Sequence, residues 1–154
     1  MTSFAKSSKL TVTSTAFVNN SDIPDKYSCA GGESSPPLQI SGAPAGAKSL
    51  TLIVHDPDAP KPGGMTHWVL WNIEVSGSIP ENYKDGNQGL NGKQENGYIG
   101  MCPPSGTHHY YFMAYALDTK LNLDKRTDEA GLKKAMQGHI IATGELIGLY
   151  TKNK

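Results

Sequence analysis

Residues 97–117 constrain this chain more than any other stretch. The first half, Gly97-Tyr98-Ile99-Gly100-Met101-Cys102-Pro103-Pro104-Ser105-Gly106, is a loop dense in glycine and proline, and the second half alternates side-chain types as a strand does. Prolines fix φ and glycines let the backbone approach a ligand closely. A loop of this kind running straight into a strand can therefore aim backbone N–H groups and side chains at one point. On the strand, His108, Tyr110, Phe112, Ala114 and Ala116 share one face, and His109, Tyr111, Met113, Tyr115 and Leu117 share the other. His108 and Tyr110 point the same way.

The chain is the length of one ordinary domain, and residues 1–154 read as a single core. The 17 glycines and 10 prolines favour turns and short strands over long helices. Lysine plus arginine balance aspartate plus glutamate at 14 each, so no global field recruits nucleic acid or an anionic membrane. The first ten residues carry no long apolar run behind their lysines, and nothing later approaches the roughly 20 apolar residues of a membrane span. These features point to the cytoplasm and to no stable membrane insertion. In that setting Cys29 and Cys102 are expected as reduced thiols; a disulfide between them would need Cα atoms within about 7 Å, which spacing cannot show.

Residues 10–17 suit a first, partly exposed strand, followed by a turn at Asn19-Asn20-Ser21-Asp22. Residues 27–38 form a long irregular loop with its own proline pair, of a length that is often functional in compact domains. Residues 49–54 are apolar on both faces and belong at the centre of a sheet. They run into His55-Asp56-Pro57-Asp58-Ala59-Pro60, where the prolines halt ladder hydrogen bonding and two carboxylates stand at a strand end. A strand over 66–75 follows, then a polar excursion over 76–97. A helix over 128–137 has Thr127 as N-cap and Gly138 as terminator, and a strand over 140–150 closes the domain.

Asp56 and Asp58 could be ligands, acids or turn-makers, and His67 and His108 could be structural. A histidine pair beside a carboxylate and loop N–H groups can hold a phosphate-type anion, with the carboxylate orienting one imidazole. A hydrolase using Ser105 or Cys102 with His108 lacks a Gly-x-Ser-x-Gly elbow. A metal site from His55, Asp56, His67 and His108 lacks ligand spacing.

Asp56-Pro57-Asp58-Ala59-Pro60, His67-Trp68-Val69-Leu70-Trp71-Asn72-Ile73, and Gly97-Tyr98-Ile99-Gly100 with Cys102-Pro103-Pro104-Ser105-Gly106 and His108-His109-Tyr110 closely resemble the phosphatidylethanolamine-binding protein family. The small size is similar to its bacterial and archaeal Raf-kinase-inhibitor-like branch. The resemblance implies a mainly β protein, an antiparallel β-sandwich with a short C-terminal helix and long functional loops, and an anion pocket at one end. Carried over motif by motif, it implies Asp56 as pocket carboxylate, Ala59 and Pro60 in its wall, and His67 and His108 as pocket histidines. Tyr110 would be a hydroxyl-bearing wall residue, and Gly100, Cys102, Pro103 and Pro104 the loop supplying a backbone edge. Tyr150 matches the family's C-terminal tyrosine. Met101 and Ile40 depart from the pattern, where proline and an aromatic are frequent. The resemblance further implies a non-enzymatic binder of a small phosphorylated or carboxylated ligand, without cofactor or metal. The alternative is an interaction module acting on a kinase or protease, and relatives of this branch suggest a homodimer.

Overall fold

The computed structural model of the chain describes residues 8–152. In chain order the strands among them are β1 (Ser8–Lys9), β2 (Thr11–Thr13), β3 (Ser21–Asp22), β4 (Leu38–Ser41), β5 (Ser49–Asp56), β6 (Met65–Ile73), β7 (Ser78–Ile79), β8 (Asn87–Gln88), β9 (Thr107–Leu117) and β10 (Ile140–Thr151). A helix, α1 (Glu129–Met136), precedes β10. The larger sheet has the order β1-β10-β9-β5-β6-β8, with β3 also beside β10, and the smaller sheet the order β2-β4-β7. The strands of both sheets pair antiparallel except where β10 meets the short β1 and β3. The mainly β sandwich with one short helix is therefore as the sequence implies. No helix of the described residues is long and apolar enough to cross a membrane.

The apolar character of β5 on both faces follows from its place between two cores. Leu50, Leu52 and Val54 join Phe112 and Ala114 of β9 in a cluster closed from the smaller sheet by Val12, Leu38, Ile40 and Ile79. On the opposite face Ile53, Val69 and Trp71 pack with Leu132 and Met136 of α1. One strand thus serves two layers, which explains why its alternation is hidden in the sequence.

Local details differ from the expected boundaries. Of the expected first strand over 10–17 only β2 forms, with β1 preceding it, and Phe17 is buried from a loop rather than a strand. β6 ends at Ile73 because Asn72 takes a left-handed φ of 54° and exchanges two 2.8 Å hydrogen bonds with the Leu121 backbone. The cap of α1 is Asp128 rather than Thr127, its Oδ1 accepting from Gly131 N at 3.0 Å. The 76–97 excursion is stitched down by β7, β8 and a bridge between Leu90 and Asn96.

α1 is also held to the sheet by a polar clamp. Glu129 Oε1 accepts from the Thr66 hydroxyl at 2.7 Å and meets His55 Nδ1 at 2.8 Å, while Oε2 meets Lys133 at 2.7 Å. Burial works to raise the Glu129 carboxyl, but the bonds from His55, Lys133 and Thr66 outweigh it and leave its pKa at about 2. A carboxylate depressed below its ordinary 4.5 contributes stability that is present above that value and lost as pH falls through about 2. Glu129→Gln should lower the Tm at neutral pH and flatten the fall in Tm between pH 4.5 and pH 2; melts across that window with unchanged slope would contradict the clamp.

Thr51 is fully buried in β5, and its hydroxyl has no hydrogen-bond partner among the described residues. An unpaired buried hydroxyl is a net cost, so Thr51→Val, which keeps the shape, should stabilise the fold by about 1 kcal/mol in chemical denaturation. A loss of stability of that size would show that the hydroxyl is satisfied.

Candidate functional site

The site forms where β5 ends against the start of β9. The two strands are antiparallel with His55 opposite Tyr111, so inward positions beyond that pair bring Asp56 toward His108 and Tyr110. Pro57 stops the ladder and the chain turns, with the Asp56 Oδ1 accepting from Asp58 N at 2.8 Å. The other carboxylate oxygen, Oδ2, meets His108 Nδ1 at 2.7 Å. Asp56 is 2% exposed and His108 7%. A carboxylate this buried has to be compensated, and these bonds fix the imidazole's orientation in return.

His109, the next residue along β9, pairs on the outside with Asp58 from the turn that follows β5. Asp58 Oδ2 accepts from His109 N at 2.8 Å and meets His109 Nδ1 at 2.7 Å, both residues being exposed. The His109 bonds draw the Asp58 carboxyl below its ordinary range. Strand parity sorts the two adjacent histidines, and the turn after Asp56 sorts the two aspartates, into an inner and an outer pair.

His67, on β6, is the second inner histidine. Its Nδ1 lies 2.8 Å from the Ile99 carbonyl, so Nδ1 carries the proton and donates. Burial lowers its pKa, more than the Ile99 bond and the Asp56 charge restore. The neutral ring consequently keeps a lone pair on Nε2. The Tyr110 ring separates the two imidazoles, edge-on to His67 at 5.2 Å and stacked near His108 at 6.3 Å. Burial first, then the Asp56 charge, pushes the Tyr110 phenol well above its usual value, so it stays a neutral O–H.

These groups line one cavity of about 250 Å³. Its wall includes Ala59 and Pro60 from the loop after β5, and Gly100, Cys102, Pro103 and Pro104 from the loop before β9. Gly100 is required there: a Cβ would stand 2.8 Å from the Ser28 carbonyl carbon and from Glu33 Cγ. Its N–H donates to Glu33 Oε2 at 3.1 Å, so this amide is already engaged. Cys29, Glu33, Lys61, Met65, Lys93 and Ile99 complete the lining. Sequence reasoning did not find these; only the unusual length of the 27–38 loop hinted at Cys29 and Glu33, and nothing local marks Lys61 or Lys93.

One expectation is corrected. Cys29 and Cys102 form a disulfide with Cα atoms 5.5 Å apart, not two reduced thiols. The cause is a backbone bridge of Ser28 with Met101, in which Cys29 N donates to Met101 O at 3.0 Å and sets the cysteines side by side. With Cys102 bridged there is no thiolate to serve with His108 as a nucleophile. Tyr150 is opposite His108 in the β9–β10 register but lies outside the cavity wall, and its hydroxyl donates to Asp25 Oδ1 at 2.8 Å. His55, grouped by residue type with the pocket histidines, faces the helix side and bonds Glu129 and the Gly63 carbonyl.

A family model described as phosphatidylethanolamine-binding protein matches residues 13–151. A UPF0098 protein of Pyrococcus horikoshii is 48% identical over 150 residues, covering 90% of this chain and 75% of the relative. The crystal structure of a phosphatidylethanolamine-binding protein homologue from Chlamydia trachomatis superposes with a TM-score of 0.90 at 45% identity, covering 94% of this chain and 99% of that one. YbcL of E. coli, described as a new member of the mammalian PEBP family, superposes at 0.85 with 32% identity, covering 97% of this chain and all (100%) of its own.

The electrostatics of His67 give a measurable consequence. Its folded pKa lies below the ordinary 6.5, so below that value the unfolded chain takes up a proton that the folded one refuses, and stability falls as pH drops through the window beneath 6.5. Nitrogen-detected NMR of the ligand-free protein should show His67 protonated on Nδ1 at neutral pH, with its midpoint below 6.5. A midpoint at or above that value would overturn the neutral assignment.

Proposed function

The chain belongs to the phosphatidylethanolamine-binding protein family, and from that premise we propose that it is a non-enzymatic binding protein whose cavity holds a small phosphoryl or carboxylate group. The observation that carries the reading is the convergence of an Asp56-oriented His108, the neutral His67 and the Tyr110 hydroxyl on one cavity of about 250 Å³. That volume is below the range of about 300–1,000 Å³ typical of drug-sized ligands, and it suits a headgroup or a phosphorylated side chain rather than a whole lipid.

The chemistry fits a ligand that is both acceptor and donor. A hydrogen phosphate or a singly protonated phosphate ester can give its O–H to the His67 Nε2 lone pair and accept from the Tyr110 hydroxyl. Lys61 and Lys93 at the cavity wall supply the positive charge that the buried Asp56 otherwise offsets. The site holds the group, and no nucleophile is assigned to it. For location, the bridge matters: the cytoplasm expected from the sequence is compatible with it in a thermophile, and otherwise it calls for an oxidising compartment.

Calorimetric titration with inorganic phosphate and with phosphoryl-ethanolamine tests the reading. Asp56→Ala, His67→Ala and His108→Ala should each weaken binding by about 10- to 100-fold, the worth of a hydrogen bond to a charged group. Affinity for phosphoryl-ethanolamine should also rise as pH falls through its second phosphate pKa of about 6, because the singly protonated ester gains the O–H that the neutral His67 Nε2 accepts. Unchanged binding in all three variants would remove the pocket assignment.

A further inference from the structure

The cavity has one chemically reactive wall. Cys29 and Cys102 both line it, both are exposed, and they are joined in a disulfide, so the S–S bond borders the space that receives the anion. We propose that this site takes small thiols carrying a carboxylate or phosphoryl group, and that anchoring the anion beside His108 and Tyr110 presents the thiol to the Cys29–Cys102 bond for exchange. The proposal rests on the anion-pocket reading above and adds the ligand's second functional group.

The step is ordinary thiol–disulfide exchange. The ligand's thiolate attacks one of the two Sγ atoms and the protein S–S bond breaks. A mixed disulfide forms at the attacked cysteine, and the other leaves as a thiolate that takes a proton from water. No outside oxidant is needed, because the protein disulfide is the species reduced and the ligand sulfur the one oxidised. The cavity, at about 250 Å³, accommodates a molecule of mercaptopropionate size and leaves the remainder of a longer one outside. Exchange would loosen the wall without dissolving it, since Cys29 N still donates to Met101 O and Gly100 N to Glu33. The simpler role of the bridge is to staple two loops. A staple responds to thiols only by their intrinsic reactivity, whereas a guided site discriminates by charge and is blocked by an anion.

The test compares opening of the bridge by 3-mercaptopropionate and by 2-mercaptoethanol, followed by alkylation and mass spectrometry of Cys29 and Cys102. Rates are expressed per thiolate and relative to a small neutral disulfide. The anionic thiol should be about tenfold faster, a modest fraction of what pre-positioning can give. Saturating inorganic phosphate should remove that advantage, chloride of equal ionic strength should not, and the neutral thiol should be indifferent to both. His108→Asn should abolish the preference; if that variant fails to fold, phosphate competition on the parent protein decides alone. Equal relative rates in a protein that binds phosphate would overturn the proposal and leave the anion pocket standing. A protein that does not bind phosphate by calorimetry would overturn both.

Discussion

The bond between Asp56 and His108 is the contact on which the rest of the site depends. A carboxylate with almost no exposure is costly unless its oxygens are paired, and here one oxygen closes the turn through Asp58 N while the other holds the imidazole. That arrangement is available only because β5 stops at a proline directly beside the start of β9. The loop that continues past the turn brings Ala59 and Pro60 to the wall. The strand that carries His108 brings Tyr110 two residues on, and Tyr110 in turn spaces the two imidazoles.

The larger sheet separates the histidines into environments of opposite sign. On the sandwich side, burial keeps His67 neutral and leaves it a lone pair. On the helix side, the Glu129 bond raises His55, which serves to fasten α1. Adjacent residues of β5, His55 and Asp56, thus belong to different machinery because a strand alternates its faces. His55 is therefore not brought to the other three residues grouped with it by type: sequence proximity at an odd spacing is spatial opposition in a strand.

The disulfide joins two loops that are 73 residues apart in sequence. It sits where the Gly100 position tolerates no side chain and where Glu33 already accepts from the Gly100 amide, so the wall is defined by backbone contact as much as by the bridge. This changes what the loop before β9 can offer a ligand. Cys102, Pro103 and Pro104 of this loop line the cavity, while at least one of its amides is spent inside the protein.

Much of the architecture was legible because strand alternation is a local property of covalent geometry. The inward set on β9, from His108 through Ala116, and the central place of β5 could be read from side-chain parity and from apolar character on both faces. The motifs likewise brought Asp56, His67, His108 and Tyr110 into one expected pocket, and these four do share a cavity. What parity cannot give is which loops meet. The pairing of Ser28 with Met101, the bridge it permits and the approach of Lys61, Lys93 and Glu33 are set by strand register and by packing across long sequence separations. Tyr150 shows the same limit from the other side. Its motif placed it with the pocket, but β10 lies against the far flank of β9, and register turned its hydroxyl to Asp25. The sequence alone determined the faces of the strands and the chemistry available at their ends. The tertiary structure decided which ends are neighbours, because that depends on the cooperative burial of two cores and not on any segment's own preference.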